Sequence, residues 1–159
     1  MPLSLTLSIE EFNLSLTKFA ENGYERMTAA LGDVEYSLNG SAIETGSLHE
    51  PKFIWVISAF VTVQQFRQLQ AIYLHSDRKR AAQLPHAITI DDEIEPYVEP
   101  GNRTRAIVPG GTTTIEGGLI SYPARFGARM FEPKAEKLKN SQYPYLARFT
   151  LKELDRVAP

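Results

Sequence analysis

Histidines are the first place to look for metal or acid–base chemistry, but His49, His75 and His86 sit in three different contexts and form no HxH or HxxxH pair. The richest acidic stretch is Asp91-Asp92-Glu93-Ile94-Glu95 together with Glu99. Its carboxylates are the hard oxygen ligands that Ca²⁺ takes, yet the spaced ligands and central glycine of an EF-hand loop are missing. The plainer reading is a solvated turn whose charges protect a strand edge. Pro109-Gly110-Gly111-Thr112-Thr113 superficially resembles a phosphate-cradling loop, but no Gly-Lys-Ser/Thr follows and no helical pattern begins there. Ser and Thr are plentiful without a Gly-x-Ser-x-Gly elbow that would present one as a nucleophile. Arg103-Thr104-Arg105 and Lys134, Lys137 and Lys139 are local basic patches suited to acidic neighbours or nucleic acid, with ordinary surface charge as the simpler account. The residue chemistry therefore nominates no catalytic, cofactor-binding or metal-binding residue, and the chain is expected not to be an enzyme and to need no cofactor.

The composition bounds the remaining classes. With 159 residues the chain fits one domain, 1–159, and 43% hydrophobic against 23% charged residues is ordinary for a globular protein. Cysteine is absent, so disulfides and thiolate metal sites are excluded. A formal charge of −2 supplies no general attraction for nucleic acid or anionic lipid. No apolar run approaches the roughly 20 residues of a membrane span, and Met1-Pro2-Leu3-Ser4 lacks the basic start of a secretory signal. These features predict a soluble protein made in the cytoplasm, with no membrane partner and no specific nucleic-acid binding.

The elements that would position any site are organised around Phe53 to Ser76. Phe53 to Val61 is aromatic and β-branched, without Gly or Pro, and reads as a strand buried on both faces. Thr62-Val63-Gln64-Gln65 then has capping-box spacing, and Val63, Phe66, Leu69, Ile72 and Tyr73 line one face of a helix. Upstream, Leu3, Leu5, Leu7 and Ile9 alternate with polar residues, as in a half-buried strand or an N-terminal arm, residues 1–11, that adds to a neighbour's sheet. Residues 8–19 admit a helix or a strand; the strand is preferred, ended by a turn at Asn22-Gly23. Gly32-Asp33 is expected to be a turn, Val34 to Leu38 a strand, and Asn39-Gly40 a hairpin leading to Ala42 and Ile43.

Beyond the helix, Asp77-Arg78-Lys79-Arg80 reads as a charged exit into a loop reaching Pro85, and Ala87 to Asp92 as a strand that Tyr97 and Val98 resume. Residues 99–118, dense in Gly, Pro and Thr, predict a long loop of the kind used for binding or assembly. Strands are expected at Leu119–Tyr122, Ala124–Phe131 and Tyr145–Leu151, with Pro133–Pro144 a loop or short helix. No internal repeat is visible.

Three phrases carry a resemblance: Val34-Glu35-Tyr36-Ser37-Leu38-Asn39-Gly40; Trp55-Val56-Ile57-Ser58-Ala59-Phe60 with the helix through Leu69-Gln70-Ala71-Ile72-Tyr73; and Ala87-Ile88-Thr89-Ile90-Asp91-Asp92. In their order, followed by a Gly/Thr-rich excursion and closing strands, they resemble the tail-tube fold of tailed bacteriophages, shared by tube subunits, distal tail (baseplate) proteins and tail terminators. The resemblance implies a mainly β chain, a β-sandwich or short barrel flanked by one α-helix. It also implies a structural virion protein that forms a ring with copies of itself, usually a hexamer, and contacts adjacent tail tube or baseplate proteins in the viral tail. The competing class is a monomeric β-barrel that binds a small ligand inside, with the helix as lid.

Overall fold

The computed structural model describes residues 3–29, 32–46, 52–140 and 142–159. The chain begins with β1 (Leu5–Ile9) and β2 (Phe12–Leu16), a hairpin whose turn puts Glu10 at φ 52°. The strand reading of residues 8–19 therefore holds, and the competing capping-box helix does not form. β3 (Phe19–Ala29) follows after two residues, then β4 (Gly32–Tyr36), β5 (Ala42–Gly46) and β6 (Lys52–Val61). The helix α1 (Val63–Ala81) separates these from β7 (Ile88–Asp92), β8 (Tyr97–Pro100), β9 (Thr114–Glu116), β10 (Leu119–Tyr122), β11 (Arg125–Met130), β12 (Lys134–Lys137) and β13 (Tyr145–Glu153). The chain is mainly β, built from antiparallel sheets with a single helix among the described residues.

The main sheet runs β2-β1-β7-β11-β13-β6-β3, and its registers place one set of inward side chains on a common face. Leu16 pairs with Leu5, Leu7 with Ile90, Ile90 with Phe126, Met130 with Leu151, and Leu151 with Trp55. Because side chains alternate along a strand, these pairings carry the whole apolar set to one side. The sheet curls strongly. β7 and β3 are four strands apart, about 19 Å on a flat sheet at ~4.8 Å per strand, yet Tyr24 and Arg26 of β3 hydrogen-bond to Asp92 of β7.

Several segments differ from the sequence expectation. Leu3–Ile9 is no free arm: β1 is hydrogen-bonded on both sides, to β2 and β7, and Leu5 and Leu7 are fully buried. Asn22-Gly23 does not end a strand but forms a bulge inside β3, with Asn22 at φ 56° and the pairing with β6 shifting register between Phe19 and Tyr24. A Cβ on Gly23 would come within 2.3 Å of the Ser58 carbonyl oxygen, so the glycine serves close backbone approach rather than reversal. Gly32 and Asp33 belong to β4 instead of a turn, whereas the Asn39-Gly40 hairpin joins β4 to β5 as expected. Ala30, Leu31 and the stretch 47–51 that joins this hairpin to β6 lie outside the described residues.

The stretch expected as a long loop at 99–118 is largely tied down. Ala106 donates to the Val157 carbonyl at 2.9 Å, Val108 to Pro123 at 2.9 Å, and Ile107 bridges Ala124. Gly117 and Gly118, at φ 59° and 80°, make the two-residue turn from β9 to β10 that this left-handed geometry favours. β8 does not resume β7; it joins β10 and β9 in a separate three-stranded sheet. Residues 133–144 contain strand β12, which continues along β13 where β11 leaves off, the two pieces separated at Pro133, which has no amide to donate to the ladder.

The helix starts with the expected reciprocal box: the Gln65 amide donates to Thr62 Oγ1 at 3.1 Å and the Thr62 amide to Gln65 Oε1 at 2.9 Å. It does not stop at Asp77. It continues to Ala81, with Arg78, Lys79 and Arg80 in the last turn, where cations favour the negative end of the helix dipole. Leu69, Ile72 and Ser76 are buried, and Phe66 stacks on Tyr145 at 5.1 Å. Val63, expected on the packed face, is 42% exposed because the helix meets the sheet only from Phe66 onward. Since Leu69 is wholly enclosed, Leu69→Ala is expected to lower stability by roughly 2–5 kcal/mol, read as a fall in the urea midpoint. An unchanged midpoint would contradict this packing.

Candidate functional site

Asp92 ends β7 because its own side chain turns the backbone: Oδ1 accepts from the amides of Ile94 at 3.0 Å and Glu95 at 3.3 Å. The other oxygen, Oδ2, faces the interior. It accepts from the Tyr24 hydroxyl, from Arg26 Nη1 at 3.1 Å and from Trp55 Nε1 at 3.1 Å. Arg26 also donates to the carbonyls of Glu95 at 2.9 Å and Pro96 at 3.1 Å, so its planar fork clamps the turn that Asp92 makes. Burial, followed by the neighbouring Asp92 charge, pushes the Tyr24 phenol well above its ordinary pKa, so it stays a hydrogen-bond donor.

A second buried pair lies across the aromatic core. Arg105 and Glu153 have side chains 2% and 1% exposed and are held together through both guanidinium Nη atoms. Burial alone would lower the Arg105 pKa, but hydrogen bonding to Glu153 reverses that and raises it. The Arg105 amide donates to the Tyr122 hydroxyl at 3.1 Å, and that hydroxyl donates to Glu99 at 2.5 Å. Glu99 further accepts from the Thr104 amide at 3.0 Å and hydroxyl at 2.7 Å. Burial pushes the Glu99 carboxyl up, yet these donors together with the Arg105 charge outweigh it and hold the group below its ordinary value. The two guanidinium groups flank shared rings: Arg26 lies 4.8 Å from the Phe53 centroid, and Arg105 4.9 Å from those of Tyr97 and Phe126.

These clusters reassign the charged residues singled out in the sequence. Asp92 and Glu99 are buried instead of forming a solvated turn, and Arg105 is interior rather than part of a surface patch with Arg103. Asp91, partly buried, forms a two-bond pair with Arg125 at 2.7 and 3.0 Å, and Glu93 and Glu95 are the exposed members of the stretch. His75 meets Glu10 at 2.8 Å and packs on Phe12, while His86 contacts the Leu84 carbonyl at 3.2 Å; His49 lies outside the described residues. Gly110-Gly111 is a tight turn in which Gly111 donates to the Val108 carbonyl at 2.8 Å, with Pro123 packed against it. Among the described residues, no group of three or more His, Asp or Glu is placed to hold a metal ion, and no helix is long and apolar enough to cross a membrane.

The exposed apolar surface is concentrated elsewhere. β4 and β5 pair only with each other among the described residues and present Tyr36, 73% exposed, with Leu38 and Ile43 to solvent. Residues 32–46 carry Asp33, Glu35 and Glu44 and no Lys or Arg. On the outer face of β6, β12 and β13, a groove of about 450 Å³ is lined by Val56, Phe131, Lys134, Arg148 and Thr150 among others. Arg129 and Lys152 lie 5.0 and 5.1 Å from the Phe131 ring centroid at its rim. Sequence reasoning marked Lys134 but missed the groove, because its members come from strands that meet only through the β13 pairings. The hairpin was legible as a turn, and Tyr36 and Leu38 beside three acids were the available sign that its side chains lack a core.

Neither the protein-family models nor the curated proteins compared with this chain contain a match to it.

Two outcomes follow from the buried clusters. Asp92→Ala leaves Arg26, itself 5% exposed, with only the longer 3.5 Å contact to the half-exposed Glu95 carboxylate and leaves the Tyr24 and Trp55 donors unpaired, and is expected to cost roughly 3–5 kcal/mol in urea unfolding; a loss under 1 kcal/mol would show that the cluster is incidental. Because the folded Glu99 pKa lies below the ordinary value of 4.5, its contribution is fully present above that pH and is lost as pH falls through the folded pKa. Glu99→Gln is therefore expected to lose more melting temperature relative to wild type at pH 7 than at pH 3. An equal loss at both pH values would contradict the assignment.

Proposed function

We propose that this chain is a structural subunit of a bacteriophage tail, assembling with its own copies into a hexameric ring in the tube or baseplate region of the virion, next to other tail tube or baseplate proteins. Its work in this reading is assembly and not catalysis. The observation that carries the proposal is the β4–β5 hairpin, which presents Tyr36, Leu38 and Ile43 to solvent on a two-stranded sheet. A two-stranded hairpin is marginal in water by itself, and apolar side chains of this size on it are accounted for by a partner that covers them. Two strand edges, the outer sides of β2 and β3, add surfaces to which another chain's backbone can pair.

The monomeric ligand-binding barrel is less well supported, because the concave side of the sheet is filled by its own rings. Trp55 and Phe126 have centroids 4.9 Å apart, and Phe53, Tyr97 and Tyr122 complete the cluster at 5.7 to 5.9 Å. Sedimentation and negative-stain electron microscopy test the proposal. The expected result is a particle whose mass is a multiple of 17.9 kDa, with a central hole; a monomer at all concentrations up to the millimolar range would overturn it.

A further inference from the structure

We infer that the β4–β5 hairpin of one copy seats in the basic groove over β6, β12 and β13 of a second copy, an inference that rests on the assembly reading and names the contact that builds it. The two surfaces are complementary in both kinds of chemistry. The hairpin offers Leu38 at its tip and, on one face, Ile43 paired opposite Glu35, with no basic residue between Gly32 and Gly46. The groove offers Val56 and Phe131, each more than a third exposed, under a rim in which Lys134, Arg148, Arg129 and Lys152 outnumber Glu132, Glu136 and Glu25, the last opposite Val56 on β3.

The complement of the hairpin is thus present on the same chain, which makes a second copy the occupant that the charge pattern selects. Opposed potentials steer such surfaces together and fix their register, while the apolar centre supplies the driving force. The rim pair Arg148–Glu136, at 3.5 Å with both side chains more than 60% exposed, is weak enough to exchange for an incoming carboxylate. Phe131 has the Arg129 and Lys152 cations 5.0 and 5.1 Å from its centroid and is still 38% exposed, which leaves part of the ring open to a ring or an aliphatic side chain. The contact joins different patches on the two partners, so repetition propagates around a ring or along a filament instead of stopping at a dimer.

The absence of cysteine makes the test free of background. Leu38→Cys and Val56→Cys chains, both changed at exposed positions, are mixed and treated with a short bis-maleimide, and Leu38→Cys mixed with Gln64→Cys on the exposed side of the helix serves as control. The expected result is a covalent species of twice 17.9 kDa forming about tenfold faster or more in the first mixture, in line with a typical coupling of 1.4 kcal/mol or greater. Glu35→Lys should lower the assembled mass, and combining it with Arg148→Glu in the same chain should restore it. Cross-linking of the Leu38→Cys and Val56→Cys mixture at the control rate, when the wild-type chain assembles, would overturn the hairpin–groove contact and leave the assembly reading standing. A wild-type chain that stays monomeric would overturn both.

Discussion

The curl of the main sheet depends on one carboxylate. Asp92 draws three donors from two distant strands onto a single oxygen, while its other oxygen fixes the turn out of β7. A charge fully removed from water is costly, and the cost is offset only when good hydrogen bonds replace hydration. Five donors do so here, and each of those from Tyr24, Arg26 and Trp55 requires β3 and β6 to fold over toward β7. Lateral pairing alone would permit a flatter sheet; the buried acid makes the curled one the arrangement in which its charge is satisfied.

The aromatic cluster extends that constraint across the core. Arg26 and Arg105 approach the Phe53 and Phe126 rings, each also tied to its own buried carboxylate, Asp92 or Glu153. Ring faces accept guanidinium cations, so the arginines pack within an apolar core without leaving most of their surface against hydrocarbon. Arg105 Nε has no hydrogen-bond partner among the described residues, while its Nη atoms pair with Glu153 and its guanidinium packs on the Tyr97 and Phe126 rings. The segment around Arg105 is thereby anchored, and so is much of a stretch whose composition suggests a loop.

A core closed in this way leaves the outer surfaces to meet other molecules. The inner side chains of β6 and β13 fill the barrel-like interior, while the outer ones form a groove with a basic rim. The acidic, apolar hairpin falls in chain order between β3 and β6, two strands that the buried clusters brace. This division is the one the proposed assembly role would use.

What the sequence by itself determined was local: the Trp55 strand, the Thr62 capping box, the Asn39-Gly40 hairpin, the alternation in β1, β10 and β13, and a mainly β chain with one helix. Each is set by hydrogen bonding or side-chain periodicity within a few residues, so neighbours in sequence suffice to specify it. Tertiary structure decided the rest. Asn22-Gly23 is a bulge and not a turn because the Ser58 carbonyl of another strand presses on Gly23. Leu5 to Ile9 is an interior strand and not an arm because β7, more than eighty residues later, pairs with its open side. Asp92 and Arg105, indistinguishable in sequence from their exposed neighbours Glu93 and Arg103, are buried because partners 66 and 48 positions away reach them. Charge states its need for a partner in the sequence, but which partner arrives, and whether water is excluded when it does, is settled only when distant strands are brought together.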